Sequence, residues 1–373
     1  MSYLWYWPDG GWDFDMWKRR QRWRPIATEQ SGRREPLPLV TNGATRAAWE
    51  RQARAWRRTS DEILGKLRDR KPRRMRWEFL GDALAPQRRG RGTRSPYTMR
   101  RLRYTLTARE FGYAWLLTPA SRRSKGSVIA LHQTAPNGKA VPVRLEPVPE
   151  APDGTYYAAE LAERGFAVLA PDQIAFGERQ AAHRNARYRS ADEFYAAHPD
   201  GSVMAKMAYD TARAVDLLRA LPGVDGERIG CVGHSHGAYG TLFAMVADDR
   251  IRAGVASCGI NLLRDDPGVD RWWRRTALIP RLGLYEGRIV ATPIDFHHWL
   301  ALVAPRPFML VAALRDHIYP NTGGLAAAVE LVRGVYDLYG AGERLVCHAF
   351  DGPHAFAAAA RRRAYAMLER ELR

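Results

Sequence analysis

Ser235 stands in a setting that turns a hydroxyl into a nucleophile. Gly233-His234-Ser235-His236-Gly237 fits G-x-S-x-G; Arg228 to Val232 before it reads as a short buried strand, and His236 to Ala247 as a helix rich in Ala, Leu, Phe and Met. A sharp turn between strand and helix forces the central side chain outward at an unfavourable backbone angle. Glycines are needed on either side, where a Cβ would collide with the neighbouring strand and helix. The competing reading of Ser235 is a glycine-rich turn whose serine caps a helix.

A nucleophilic serine needs a base and a group that orients the base, and in such folds they follow in the order Ser, Asp or Glu, His. Pro307 to Ala313 is a continuous apolar run of strand length, with Asp316 in the loop after it. Arg344 to Phe350 is a second such run, followed by Asp351-Gly352-Pro353-His354-Ala355-Phe356, a turn leading into a terminal helix. Asp316 is the candidate acid and His354 the candidate base. Asp316 could instead pair with Arg315 or cap a turn, and Asp265, Asp266 or Asp270, after the strand at 252 to 257, could supply the acid. His317, His297, His298 and His348 compete for the base, but His348 lies inside a strand and His317 would crowd the acid. His234 and His236 flank the nucleophile and shape its surroundings.

The tetrahedral oxyanion needs two main-chain donors. One is the N–H of His236, the residue after the nucleophile. The other is expected after the strand Ser127 to Leu131, from Gln133 or Thr134, between which the sequence does not choose. His132 reads as a brace for this loop. The mechanism calls for neither cofactor nor metal.

These residues resemble the α/β-hydrolase superfamily, and within it the dienelactone-hydrolase-like and acetyl-xylan-esterase-like branch. The resemblance lies in LHQT with NGK (131 to 139), LAERGFAVLAPDQIAFGER (161 to 179), the stretch from Tyr209 to Gly259 around GHSHG, PIDFHHWLALVAPRPFML (293 to 310) and DGPHAF (351 to 356). It covers about residues 100 to 370. It implies a serine hydrolase with Ser235, Asp316 and His354 as triad, acting on esters or a related acyl bond. One departure stands at Ala140-Val141-Pro142, where sequences of this pattern continue with an acidic residue. No substrate contact from that acid carries over.

The elements that must position these residues alternate. Short apolar strands at 127 to 131, 166 to 170, 228 to 232, 252 to 257, 307 to 313 and 344 to 349 are separated by helical stretches, which predicts a mainly parallel, doubly wound α/β sheet. Arg100 to Thr107 and Glu110 to Thr118 read as its antiparallel start. The helix Val203 to Leu221 puts Met207, Ala214, Val215, Leu217 and Leu218 on one side and ends at Pro222-Gly223. Two segments interrupt the alternation, 173 to 201 and 260 to 299. Long insertions of this kind are functional or contain their own helices, and both are read as cap-like; the Asp295-Phe296-His297 part equally suits a structural turn. The predicted division is a basic, Trp-rich N-terminal extension at 1 to 99 packed on a catalytic domain at 100 to 373.

Charge is unevenly placed. Residues 1 to 125 hold 30 Lys and Arg against 12 Asp and Glu, and the rest 28 against 28, so the whole net charge of +18 lies in the first third. Nine of the twelve tryptophans lie there too, at 5, 7, 12, 17, 23, 49, 56, 77 and 115. Arginine interleaved with aromatics is one footprint of nucleic-acid binding. The plainer reading starts from a helix at Thr45 to Asp69, where Trp49, Ala53, Trp56, Ser60, Ile63 and Leu67 recur at helical spacing and dock on the core, leaving the arginines in water. Nucleic acid is therefore not an expected partner. Pro86 to Pro96 reads as an exposed loop. Tyr3 to Pro8 is too short for a signal peptide or membrane span, and the expected location is cytoplasmic. Cys231, Cys258 and Cys347 show no paired spacing and read as reduced core residues. Hydrolysis of a small acyl ester or acetylated sugar is the leading expectation. An amide or acyl-peptide hydrolase, or an acyltransferase, is the second. A binding protein for an anionic partner is the third, against which an intact triad argues. Oligomeric state is left open.

Overall fold

In the computed structural model, residues 12–26, 39–40, 43–85, 95–120, 124–145, 155–180, 188–320 and 322–373 are described. Tyr3 to Pro8 with Trp5 and Trp7, nearly all of the 86 to 96 loop, and residues 181–187 of the first insertion lie outside them. No described helix is long and apolar enough to cross a membrane.

Two compact units form from interleaved stretches of chain. One contains Asp69–Arg187, Met207–Ser257 and Ala355–Arg373; the other contains Met1–Arg68, Tyr188–Lys206 and Cys258–His354. The boundary expected near residue 99 is thus not where contacts change. Residues from Asp69 onward go with the first unit because β1 (Trp77–Phe79) pairs with β2 (Tyr97–Thr105).

The first unit is built on strands in the order β1-β2-β3-β5-β4-β6-β7, where β3 is Phe111–Pro119, β4 Ser127–Leu131, β5 Ala167–Pro171, β6 Ile229–His234 and β7 Ile251–Ser257. The pairs from β1 through β3 to β5 are antiparallel, and β5/β4, β4/β6 and β6/β7 are parallel. Every residue of β4, β5 and β6 is buried, as continuous apolar runs covered on both faces require. Helices α3 (Tyr157–Glu163), α5 (Val203–Ala220), α6 (His236–Ala247) and α9 (Ala358–Glu371) carry their apolar residues inward. Met207, Ala214, Val215, Leu217 and Leu218 of α5 are all buried.

The other unit holds the parallel pair β8 (Phe308–Ala313) and β9 (Leu345–Phe350), with α1 (Phe14–Arg20), α2 (Arg46–Leu64), α4 (Ala191–Ala197), α7 (Phe296–Ala301) and α8 (Thr322–Asp337). Thr45 caps α2 through its hydroxyl, and Gly65 ends it at φ 75°, earlier than the predicted Asp69. An added Cβ on Gly65 would fall 1.8 Å from the Asp200 carbonyl oxygen, so the chain can turn there only without a side chain. The stripe is used as its spacing predicts as far as Ile63, and Leu67 lies beyond the end of α2. Trp49, Ser60 and Ile63 are buried, and Arg51, Arg54 and Arg58 are exposed. Ser60 Oγ accepts from Trp299 Nε1 at 2.8 Å, and the Trp56 ring lies 4.1 Å from that of His298. Burial of a large apolar side chain contributes about 1.5–3 kcal/mol.

Asp295 closes a capping box on α7, its main-chain N–H donating to His298 Nδ1. The same carboxylate accepts from Leu263 N at 2.7 Å and Arg264 Nε at 2.9 Å, so the Asp295 turn is structural. Burial, and then the neighbouring His297, hold His298 well below the usual histidine range. The folded protein therefore binds fewer protons there than the unfolded chain once pH falls below about 6.5, and acidification favours unfolding. His298→Gln keeps an N3 side chain able to complete the capping box but cannot titrate. Its melting temperature should fall less than the parent's between pH 7.5 and 5, measured by thermal unfolding; an equal fall would exclude His298 as a source of acid lability.

Candidate active site

Ser235 joins β6 to α6 at φ 54° and ψ −114°, a left-handed geometry that costs a non-glycine residue about 1–3 kcal/mol. Two close approaches impose it. A Cβ on Gly233 would lie 2.1 Å from the Gly237 carbonyl oxygen, and one on Gly237 would lie 2.0 Å from that of Leu131, at the end of β4. The Ser235 N–H donates to the Ser257 carbonyl at 2.7 Å, which ties the turn to the end of β7. From Ile229 to Met245 every residue is buried except Ser235. The fold presents this one side chain and hides its neighbours. His236 opens α6, where first-turn amides point along the axis without an intrahelical acceptor and favour negative charge.

The loop after β4 is clamped through His132. Its Nδ1 donates to the Gln133 carbonyl at 2.7 Å, and its Nε2 accepts from Gln173 N at 3.0 Å, which fixes the tautomer. Gln173 Nε2 donates back to the His132 carbonyl at 2.8 Å. Burial lowers the His132 pKa and takes His236 well below the usual range. Both imidazoles are therefore neutral, and His236 Nδ1 lies 2.6 Å from the Tyr239 hydroxyl. Among the described residues neither the Gln133 nor the Thr134 amide has an acceptor; Gln133 is buried and Thr134 exposed.

Farther along the same loop, Lys139 donates its main-chain N–H to Asp172, the residue after β5, which also accepts from Glu178 N, each at 2.9 Å, and pairs with Lys139 Nζ, which reaches Glu178 at 2.7 Å. Arg179 bridges Asp210 at 2.7 Å and Glu110 at 2.6 Å. Sequence reasoning missed this network. Its signals were the NGK stretch and an aspartate directly after β5.

The other unit holds the candidate acid and base. Asp316 follows β8 and His354 follows β9, and His354 Nδ1 donates to Asp316 Oδ2 at 2.7 Å. Asp316 is 3 % exposed, and its other oxygen accepts from Ile318 N at 2.8 Å and Tyr319 N at 3.0 Å. The carboxylate is held by main chain on one side and by imidazole on the other. Leu314 N donates to Phe350 O and Arg315 N to Gly352 O, so backbone bonds between the two loops set the spacing of the pair.

The competing residues are otherwise engaged. Arg315 pairs with Asp351 at 2.8 Å rather than with Asp316. Burial raises the Asp266 pKa, and its carboxylate pairs with Arg271, which donates to the Ile318 carbonyl at 2.7 Å. Part of the 260 to 299 insertion thereby braces the loop that carries Asp316. Asp270 pairs with Arg275 at 3.3 Å, and Asp265 lies beside Gly324. His317 has its ring 6.3 Å from that of His354, His297 and His298 are buried against each other at 4.0 Å, and His348 lies within β9.

Cys258, also unforeseen, has φ 51° and offers its sulfur within 4.8 Å of the Asp316 and His354 ligand atoms. A thiol, a carboxylate and an imidazole suit a soft divalent ion. The Asp316–His354 hydrogen bond and such an ion would compete for the same atoms.

Residues 157–338 match the Prolyl oligopeptidase family. The chain is 28% identical over 174 residues to YtaP of Bacillus subtilis, covering 45% of this chain and 52% of that protein. It is 25% identical over 196 residues to the 4-O-methyl-glucuronoyl methylesterase of Hypocrea jecorina, covering 44% and 41%. The chain thus spans about half the length, or less, of these curated relatives. A glucuronoyl esterase from Solibacter usitatus superposes with a TM-score of 0.68 at 15% identity, over 92% of this chain and 99% of that one. The chain has the α/β-hydrolase fold.

Two glycine substitutions separate backbone necessity from mere flexibility. Gly237→Ala should destabilise by about 3 kcal/mol or more, because the Leu131 carbonyl cannot move without breaking β4. Gly323→Ala, in α8 with nothing within 4 Å of the new Cβ, should stabilise by about 0.5 kcal/mol. Denaturant unfolding of both variants measures the contrast; equal effects would mean the elbow is not sterically fixed.

Proposed function

We propose that this chain, an α/β-hydrolase by fold, cleaves carboxylic esters with Ser235 as nucleophile, His354 as base and Asp316 as the residue that orients the base. The observation that carries the reading is the strained, partly exposed Ser235 in a segment otherwise buried from Ile229 to Met245. Strain at non-glycine residues clusters at functional sites. The Asp316–His354 hydrogen bond supports it further, because it fixes the proton on Nδ1 and leaves Nε2 as the basic nitrogen.

Neutral His354 takes the Ser235 proton as Oγ attacks the acyl carbonyl, and Asp316 stabilises the imidazolium without taking its proton. The oxyanion accepts from the His236 and Gln133 main-chain N–H groups. Burial favours Gln133 over exposed Thr134, because an unbonded amide is more costly where water is excluded. His354 then protonates the leaving alcohol, and water reverses the steps on the acyl-enzyme. The proposed substrate is a small or sugar-linked ester, in keeping with the named esterase relatives. The Prolyl oligopeptidase match favours a second reading, hydrolysis of an amide by the same residues.

Ser235→Ala should lose on the order of 10⁶ in turnover and all labelling by a fluorophosphonate, and His354→Ala nearly as much, because triad members act as a unit. Asp316→Asn should lose about 10⁴. Chelator treatment should leave turnover intact. Retained turnover in folded Ser235→Ala protein would falsify the mechanism, and faster cleavage of amides than of matched esters would transfer the assignment to the second reading.

A further inference from the structure

We infer that the Gln133 side chain, assisted by Gln173, recognises an uncharged hydroxyl on the acyl part of the substrate. The inference rests on the esterase reading and adds to it a specificity-determining residue.

Gln133 is 8 % exposed, and both the oxygen and the nitrogen of its carboxamide are buried without a hydrogen-bond partner. Gln173, 5 % exposed, leaves its Oε1 in the same condition. Its orientation is not ambiguous, because Nε2 donates to the His132 carbonyl. A buried donor or acceptor left unmade costs about 1–3 kcal/mol. The three atoms belong to two residues that are both tied to His132, Gln133 through its carbonyl and Gln173 through its main-chain N–H and Nε2.

The site lies beside the elbow. The Cβ position of Gly237 is 3.1 Å from the His132 carbonyl oxygen, and the His132 ring is stacked at 6.1 Å on that of His236. Gln133 is the next residue, and its own main-chain N–H is the proposed donor to the acyl oxygen. Its side chain therefore starts at the acyl carbonyl rather than at the leaving alcohol.

The electrostatics select an uncharged group. Lys139 and Arg179, the buried cations of these loops, face four carboxylates, Asp172, Glu178, Asp210 and Glu110. His132 and His236 are neutral. No surplus positive charge remains to offset a desolvated anion. The Gln133 carboxamide offers donors and an acceptor, and Gln173 Oε1 a further acceptor, which a hydroxyl matches by donating and accepting at once. A plain alkyl chain would leave all three atoms unpaired.

The test compares the methyl esters of 2,3-dihydroxypropanoic acid and propanoic acid. The parent protein should favour the dihydroxy ester in kcat/KM. Gln133→Met, which keeps the main-chain N–H and an unbranched side chain of similar size, should lower that preference at least 30-fold, with Gln133→Asn recovering part of it. Binding of both esters to Ser235→Ala protein, measured by calorimetry, should show the same preference and lose it when Gln133→Met is added. Melting temperature provides the structural control: it should hold or rise in Gln133→Met, because unpaired polar atoms are removed. An unchanged preference, or a lower melting temperature with no change in preference, overturns the inference. If neither ester is hydrolysed, the esterase reading falls, and the binding preference of the Ser235→Ala protein still decides the role of Gln133.

Discussion

The backbone at Ser235 is the constraint on which the rest of the first unit depends. A φ of 54° at a residue with a Cβ survives only if the surroundings leave no alternative, and three elements supply that pressure. The carbonyl of Leu131 from β4 meets Gly237, the carbonyl of Gly237 from α6 meets Gly233, and the carbonyl of Ser257 from β7 takes the Ser235 amide. Each contact is made by main chain. The position of the hydroxyl is therefore set by how β4, β6, β7 and α6 pack, and not by any side chain that a rotamer change could relax. The other unit works the same way: backbone hydrogen bonds between the loops after β8 and β9 set the distance that the Asp316–His354 bond then spans.

This is why the central elements were legible in the sequence. A strand buried on both faces must be apolar throughout, and β4, β5, β6 and β8 are such runs. Their ends moved by a residue or two, as with Ala167–Pro171 for the predicted 166 to 170, because ends are decided by hydrogen-bond partners on other strands. The three residues of β1 are too few to show a period of two. The short helices α4 and α7 lie inside segments that read as interruptions, because a helix of six or seven residues barely completes two turns. The Asp316–His354 pairing was legible through chain order, because the parallel strands β8 and β9 place the loops that follow them side by side. The Gln133 and Thr134 alternatives were not separable by type or spacing; burial distinguishes them, and burial depends on where Gln173 and Asp172 return after β5.

Arginine in the basic third illustrates a residue whose meaning composition cannot settle. On β2, Arg100 and Arg103 place their guanidinium groups over Phe79 and Phe111 at 3.5 and 4.9 Å, covering aromatic surface with a flat cation. On α2, Arg57 donates to the Leu302 carbonyl at 3.2 Å and Arg46 lies over Tyr339, while Arg51, Arg54 and Arg58 face water. Trp12, Trp17 and Trp49 are likewise occupied, Trp12 through the Trp273 carbonyl and the Tyr195 ring at 4.9 Å. Aromatic rings committed to intramolecular packing cannot also stack on bases, so the interleaving of Trp and Arg in sequence does not carry over into a stacking platform for these residues.

The buried ions behind the 132 to 140 loop extend the logic of the elbow. Taking Lys139, Arg179 and their carboxylates out of water costs several kcal/mol per ion before pairing returns it, so their stability contribution is small or negative against an apolar core. What they add is position. Asp172 binds two backbone amides and one ammonium, and Gly138 and Gly177 come so close that a Cβ on either would fall within 2.3 Å of its Oδ1. A carboxylate so enclosed tolerates one arrangement of the two loops, while apolar contacts would tolerate many. The loop that holds the candidate oxyanion donor is thus fixed for the same reason that Ser235 is. Close backbone approach, made feasible by glycine, replaces side-chain adjustability both at Ser235 and where the 132 to 140 loop meets Asp172.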